Sequence, residues 1–189
     1  MAAEPPDAAV EVWAADEHRS GLKPILRRVW APRGKRPVIV IHPRSRWRSL
    51  SGDVHPASGH TQWHLSSGIN IEVFTRSLAA LAEQAGAGPG TELILVLDRA
   101  GWHMSSRLVV PAHRHLVPWP SYTPELQPAE RLWSCSNTPL VNVRPADLDE
   151  LDTLQLDRCA ALQTDPALVA TIQSATNYHW WPADYSPTT

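Results

Sequence analysis

Glu92-Leu-Ile-Leu-Val-Leu-Asp98 is the stretch on which the fold turns. From Leu93 to Leu97 the run is unbroken rather than alternating. That is the pattern of a strand covered on both faces, as in sheets with helices above and below. A carboxylate, Asp98, stands where the run stops. Upstream, Val10-Glu-Val-Trp-Ala-Ala15 reads as another strand, and it too ends on an acid, Asp16, with Glu17 beside it as a substitute. Downstream, Pro118-Trp-Pro-Ser-Tyr-Thr-Pro-Glu-Leu-Gln-Pro-Ala-Glu130-Arg-Leu-Trp133 is a Pro-rich loop that opens a helix at Pro128 and places Glu130 in its first turn. Three acids on the ends of rigid elements suit hard divalent cations, because Mg²⁺ takes oxygen ligands in tight geometry. Two such ions can clamp the attacking and leaving oxygens of a phosphodiester. Taken singly, each acid has a plain structural role. Asp98 and Asp16 are acids after strands, and Glu130, third in its helix, stands where a Glu serves the free N–H groups and the helix dipole.

The remaining elements follow from local pattern. Residues 1–8 read as a disordered start and 20–37 as a long basic loop or ribbon. Val38–His42 and Arg46–Val54 have strand character, and His55-Pro-Ala-Ser-Gly59 is a turn joining the latter to a strand at Thr61–Ser66. Asn70 caps a helix whose apolar face is Ile71, Phe74, Leu78 and Leu81, with Gly86 at its end. After the 92–97 strand come a short helix near 105–110, a strand near 115–119 and the helix at Pro128. Helices at about 146–162 and 166–176 follow, the second opened by Asp165-Pro166. This order predicts an α/β fold with a mixed sheet.

At 189 residues the chain fits one domain, with 43% hydrophobic residues to build a core. No run is long enough for a transmembrane helix, and the N-terminus lacks a signal pattern, so a cytoplasmic setting is expected. Cys135 and Cys159 have no metal-type spacing and read as free thiols. His113-Arg-His115 has no carboxylate or Cys at a spacing that would complete a zinc site. Net charge is −2, yet it is unevenly spread. Between His18 and Gly52 lie ten Lys or Arg residues and no acid, whereas Asp147–Asp165 holds six acids and one Arg. The basic stretch carries Trp30 and Trp47, and charge with stacking suits a nucleic-acid backbone. Arg27, Arg28, Arg33, Lys35, Arg36, Arg44, Arg46 and Arg48 are its candidate DNA contacts.

The order Asp16-Glu17, Leu97-Asp98-Arg-Ala-Gly-Trp-His103, then Tyr122-Thr-Pro-Glu-Leu-Gln-Pro-Ala-Glu130-Arg-Leu-Trp133 resembles the DDE transposases of bacterial insertion sequences, in the mariner superfamily. Gly21-Leu-Lys-Pro-Ile-Leu-Arg-Arg-Val-Trp-Ala-Pro-Arg-Gly34, His55-Pro-Ala-Ser-Gly59 and His179-Trp-Trp-Pro182 extend the likeness over residues 10–182. It implies a ribonuclease-H-like fold, a mixed five-stranded sheet flanked by helices, in one catalytic domain over residues 9–182 with a tail at 183–189. The first and fourth strands would be neighbours, and Glu130 would approach across the site. It further implies that Asp16, Asp98 and Glu130 are catalytic and hold two Mg²⁺ or Mn²⁺ ions, with Arg99 and His103 as site support. The partners would be transposon-end and target DNA, in the nucleoid, with a homodimer as the usual assembly. Two positions depart from the family: Arg99 replaces the usual Asn and would compete with a cation or hold a phosphate, and Gln127 replaces Asn as a poorer helix cap. No helix-turn-helix module fits ahead of Asp16, which makes a split reading frame or a truncated copy the expectation. The alternatives are an inactive remnant that binds nucleic acid weakly and a stand-alone nuclease of the same fold.

Overall fold

The computed structural model describes residues 8–40, 46–120, 123 and 126–174. Strands β1 (Ala9–Gly21), β2 (Trp47–Val54), β3 (Thr61–Ser66), β4 (Thr91–Leu97) and β5 (Arg114–Pro118) form one sheet in the order β3-β2-β1-β4-β5. β1 pairs β2, and β2 pairs β3, antiparallel; β1 pairs β4, and β4 pairs β5, parallel. Helices α1 (Ile71–Gln84), α2 (Leu132–Ser136), α3 (Leu148–Gln163) and α4 (Pro166–Ser174) flank it, and a 3₁₀ turn at Pro128–Arg131 leads into α2. This is the mixed, helix-flanked sheet of the ribonuclease-H-like fold, with the first and fourth strands adjacent.

Successive strand residues face opposite sides of a sheet, and β1 uses both. Trp13 and Ala15 join Leu93, Leu95 and Leu97 of β4 in a core closed by Phe74, Leu78 and Leu81 of α1. Ala14 faces the other way, into a core of Leu50 and Val54 with Leu132, Trp133, Cys159, Leu162 and Val169 from α2, α3 and α4. Both cysteines are free and belong to this second core. Among the described residues no helix is long and apolar enough to cross a membrane.

Caps act as the sequence requires: Asn70 Oδ1 accepts from the Val73 N–H at 2.9 Å, and Asp165 Oδ1 from that of Leu168 at 3.1 Å. Three expectations change. β1 does not stop at Ala15 but runs on to Gly21, because β2 pairs with it from Ala14↔Val54 to Gly21↔Trp47. Val38–Val40 is irregular and exposed instead of a strand, since apolar β-branched residues without a partner edge have nothing to pair with. No helix forms at 105–110; Ser105 Oγ caps a turn at Arg107, and the β-branched pair Val109-Val110 before Pro111 opposes helix. Residues 1–7, 41–45 and the end from 175 lie outside the described residues.

At the far end of β4 from Asp98 the pair His113/His115 does meet a carboxylate, brought there by the β4–β5 pairing. His113 Nδ1 lies 2.7 Å from Glu92 Oε1 and His115 Nε2 2.8 Å from Oε2. Both Glu92 oxygens are thereby taken, and the hydrogen bonds of His113 and His115 hold its pKa below the ordinary 4.5. A carboxylate with a depressed folded-state pKa adds stability above its unfolded pKa and loses it as pH falls through the folded value. Glu92→Gln should therefore melt below the parent at neutral pH, with the gap closing as pH drops under 4.5. Melting curves of both proteins from pH 3 to 7 check this; a gap constant down to pH 3 would show that charge plays no part.

Candidate active site at the open edge of β1

The last pairing of β1 with β4 is Ala14↔Val96, and β4 ends at Leu97. Asp16 lies two residues beyond Ala14 on β1 and Asp98 directly follows β4, so both acids stand where the β1–β4 pairing has ended. Beyond that point β1 continues against β2 alone within the sheet, up to Gly21. Its vacated edge opens a cleft of about 310 Å³, lined in part by Asp16, Glu17, Arg19, Trp47, Asp98 and Trp102.

Alternation sends Asp16 and Glu17 to opposite faces. Asp16 lies on the α2 side, where Trp133 Nε1 donates to its Oδ2 at 2.9 Å. Burial pushes its pKa up to about 7, against the Trp133 hydrogen bond, and the nearby Glu130 charge raises it further. Glu17 lies on the α1 side with His103, whose side chain is fully buried and packs 4.4 Å from the Phe74 ring. His103 Nδ1 lies 2.9 Å from Asp98 Oδ1 and Nε2 3.1 Å from Glu17 Oε1, both within hydrogen-bond distance. Burial alone would lower the His103 pKa, but the bonds to these two carboxylates outweigh it and carry it to about 9. The Trp102 indole N–H reaches both His103 Nε2, at 3.0 Å, and Glu17 Oε1, at 3.2 Å. The His103 hydrogen bond in turn keeps Asp98 below the usual carboxylate range. Behind them on β2, Asp53 is buried, accepts from Gln62 Nε2 at 3.2 Å and is pushed up by burial to about 8.

Of the expected residues, Asp16 and Asp98 line the cleft together. Glu130 is exposed on the 3₁₀ turn and reaches Asp16 through its charge. That turn is fastened to β1 by Gln127, whose Nε2 donates to the Ala15 carbonyl at 2.8 Å while its Oε1 accepts from the Ala129 N–H at 3.4 Å. The longer amide thus caps the turn and also docks it beside Asp16. Arg99 turns away from the cleft, Nε donating to the Trp119 carbonyl at 2.9 Å. Arg27, Arg28, Arg33, Lys35, Arg36 and Arg46 are exposed. Arg48 Nε is held by both oxygens of Asp152, at 2.9 and 3.0 Å. Arg44 lies outside the described residues. Glu17, rated only as a substitute for Asp16, has its own place: with Asp98 and His103 it forms the group whose donor atoms all lie within 4.8 Å of one another. The signal for it was a pair of adjacent acids on one strand, which must point to both faces.

A model for DDE superfamily endonucleases matches residues 11–152, which contain all of these groups. The chain belongs to that superfamily. It is 31% identical over 87 residues to the uncharacterized protein y4pE/y4sA of Sinorhizobium fredii strain NBRC 101917 / NGR234, covering 46% of this chain and 63% of the relative. Its fold is similar to that of the Mos1 strand transfer complex (TM-score 0.65, 16% identity, 90% of this chain and 52% of the other). It is also similar to the Mos1 mariner paired-end complex with Mn (TM-score 0.62, 13% identity, 87% and 54%). The chain thus spans about half the length of the solved chains it resembles.

Gly52 faces Asp16 across the β1–β2 pair, and a Cβ there would meet Trp63 at 3.0 Å and Leu132 and Trp133 at 3.1 Å. Close approach of α2, and hence the Trp133–Asp16 bond, needs that missing methyl. Gly52→Ala should destabilise the protein by about 1–3 kcal/mol, as overpacking of a core does. Chemical denaturation checks the size; no loss would mean that α2 shifts at no cost.

Proposed function

We propose that this domain cuts and joins DNA strands as the catalytic domain of a transposase, with Asp16, Asp98 and Glu130 as its catalytic acids. The observation that carries the reading is that Asp16 and Asp98, just past the end of the β1–β4 pairing, line one cleft inside the region matched to DDE endonucleases. The donor set suits a hard divalent cation. Carboxylates converge from two strands and a turn, and the burial of Asp16 beside Glu130 and Glu17 raises its pKa as crowded like charges do. Asp16, Asp98 and Glu130, with Glu17 at hand, would hold Mg²⁺ or Mn²⁺, two ions in the fullest form. When bound, such ions polarise the scissile phosphate and lower the pKa of the attacking hydroxyl. The chain's own part is placement. Trp133 and Gln127 fix Asp16 and the Glu130 turn, while His103 orients Asp98 and Glu17. The exposed arginines of the arm after β1, residues 22–40, supply positive charge for the DNA backbone.

Mn²⁺ at millimolar concentration should raise the melting temperature of the parent, and Asp98→Asn should abolish the rise. Supercoiled plasmid should be nicked, and an oligonucleotide 3′-OH joined to it, in Mn²⁺ but not in chelator. Asp98→Asn should lower both rates at least about 100-fold, the scale of losing a group that stabilises only the transition state. A parent whose melting ignores Mn²⁺ would favour a non-catalytic remnant, and nicking without joining would favour a plain nuclease.

The arm also supports a homodimer. Leu26, Trp30, Val38 and Val40 are 64%, 103%, 89% and 63% exposed, an apolar set that a lone domain leaves in water. A second copy is the partner we assign to it, as in the paired-end arrangement named for Mos1. Trp30→Ala with Val38→Asp should turn a sedimenting dimer into a monomer without changing the melting temperature. A parent that sediments as a monomer at all concentrations, with DNA present, would reject this assignment.

A further inference from the structure

The cleft contains more than its acids. On the α1 face of the sheet, the residues beyond Glu17 along β1 and beside it on β2 are Arg19, Ser49 and Trp47, in diagonal register: Arg19 pairs with Ser49, and Trp47 lies two positions on. The Arg19 guanidinium carbon sits 4.6 Å from the centroid of the Trp47 ring. Arg19 is exposed and Trp47 is 38% exposed. Among the described residues Arg19 has no carboxylate within ion-pair distance, unlike Arg48 on the next pair, which Asp152 holds. Gly68 and Ile69, just before α1, form the facing wall, and around a Cβ on Gly68 there is nothing within 4 Å.

An indole with a stacked, otherwise unclaimed guanidinium is a site for a planar ring bearing a negative charge. It lies two residues, roughly 7 Å, along β1 from Glu17. The space is small, at the lower end of ligand pockets, which run to roughly 300–1,000 Å³, and it is shared with the acids. A duplex cannot enter it; one nucleotide out of its stack can. We propose that Arg19 and Trp47 form a subsite for an unpaired nucleotide adjoining the phosphate held over the acids. The base stacks on Trp47 and its phosphate is met by Arg19. This rests on the DNA-processing reading above, and it adds a requirement that reading does not contain: the strand must be unpaired next to the reacting bond. Base stacking is indifferent to sequence, so the subsite selects strand state and not sequence.

The test uses oligonucleotides carrying 2-aminopurine, single-stranded, as an overhang on a duplex, or within a blunt duplex, titrated in chelator so that nothing is cut. The parent should quench the probe in the single strand and the overhang and bind these more tightly than the blunt duplex. Trp47→Ala should abolish the quench and weaken single-strand binding about 10-fold, on the scale of one aromatic stack, while Trp47→Phe should restore most of both. Arg19→Gln should weaken binding yet keep the quench at saturation. Gly68→Leu, which meets no neighbour at its Cβ, should fill the cleft and remove the quench even if Trp47→Ala folds poorly. Equal quenching by Trp47→Ala and parent, or a parent that binds all three DNAs alike, would overturn the subsite. The Mn²⁺ melting shift reports on the acids separately, so a parent with that shift but no quench fails here alone. One that binds no DNA fails both readings.

Discussion

The site exists because two parallel neighbours end at different heights. β4 stops at Leu97 while β1 runs on beside β2 to Gly21. A strand edge left without its neighbour exposes backbone groups and lets side chains from both faces reach one space. Asp16 comes to it from the α2 side and Glu17 from the α1 side, with Asp98 at the point where β4 gives out. Every other feature of the site serves to hold charged groups at that step. The Trp133 indole reaches Asp16, Gln127 ties the Glu130 turn to Ala15, and Gly52 yields the space α2 needs.

The electrostatics of that step are unbalanced by construction. Burial raises the cost of ionising Asp16, and the charges of Glu130 and Glu17 add to it. On the α1 face the imbalance is met internally: His103 lies between Glu17 and Asp98 and bonds to both. On the α2 face it is met by the neutral Trp133 indole and the Glu17 backbone N–H and is left partly unrelieved. Arg99, the obvious cation from the sequence, is not among the residues lining the cleft, and its Nε donates to the Trp119 carbonyl. A site arranged this way keeps its unmet negative charge where Asp16 and Glu130 approach each other.

Much of this was legible in the sequence where one rule dominates. The apolar 93–97 run, the Asn70 cap and the Asp165-Pro166 start are local signals, and the structure follows them. The expected strand stops at Ala15 because the apolar run ends there on Asp16, ahead of the polar Glu17, His18 and Arg19. They are strand residues that line the cleft, an environment that accepts polar side chains. Val38–Val40 failed in the opposite sense, apolar enough for a strand but with no edge to join. The Glu92 clip was invisible for a third reason: the carboxylate lies on β4 and the histidines at β5, so only the sheet register brings them together.

The same reasoning explains why the basic stretch does not act as one surface. By sequence, Arg19 to Arg48 is a uniform positive run, but the fold divides it three ways. Arg27 to Arg36 sit on the exposed arm, Arg48 is neutralised by Asp152 of the acidic α3, and Arg19 is drawn into the cleft against Trp47. The acidic 147–165 segment, which balances the net charge, therefore pairs with Arg48 through Asp152 rather than shielding the whole stretch. What remains is an exposed set on the arm and a single guanidinium held against Trp47 in the cleft that the acids line. A broad polyanion can meet the first set. Only a group small enough for a cleft of about 310 Å³ can meet the second, so the fold separates the two kinds of positive charge.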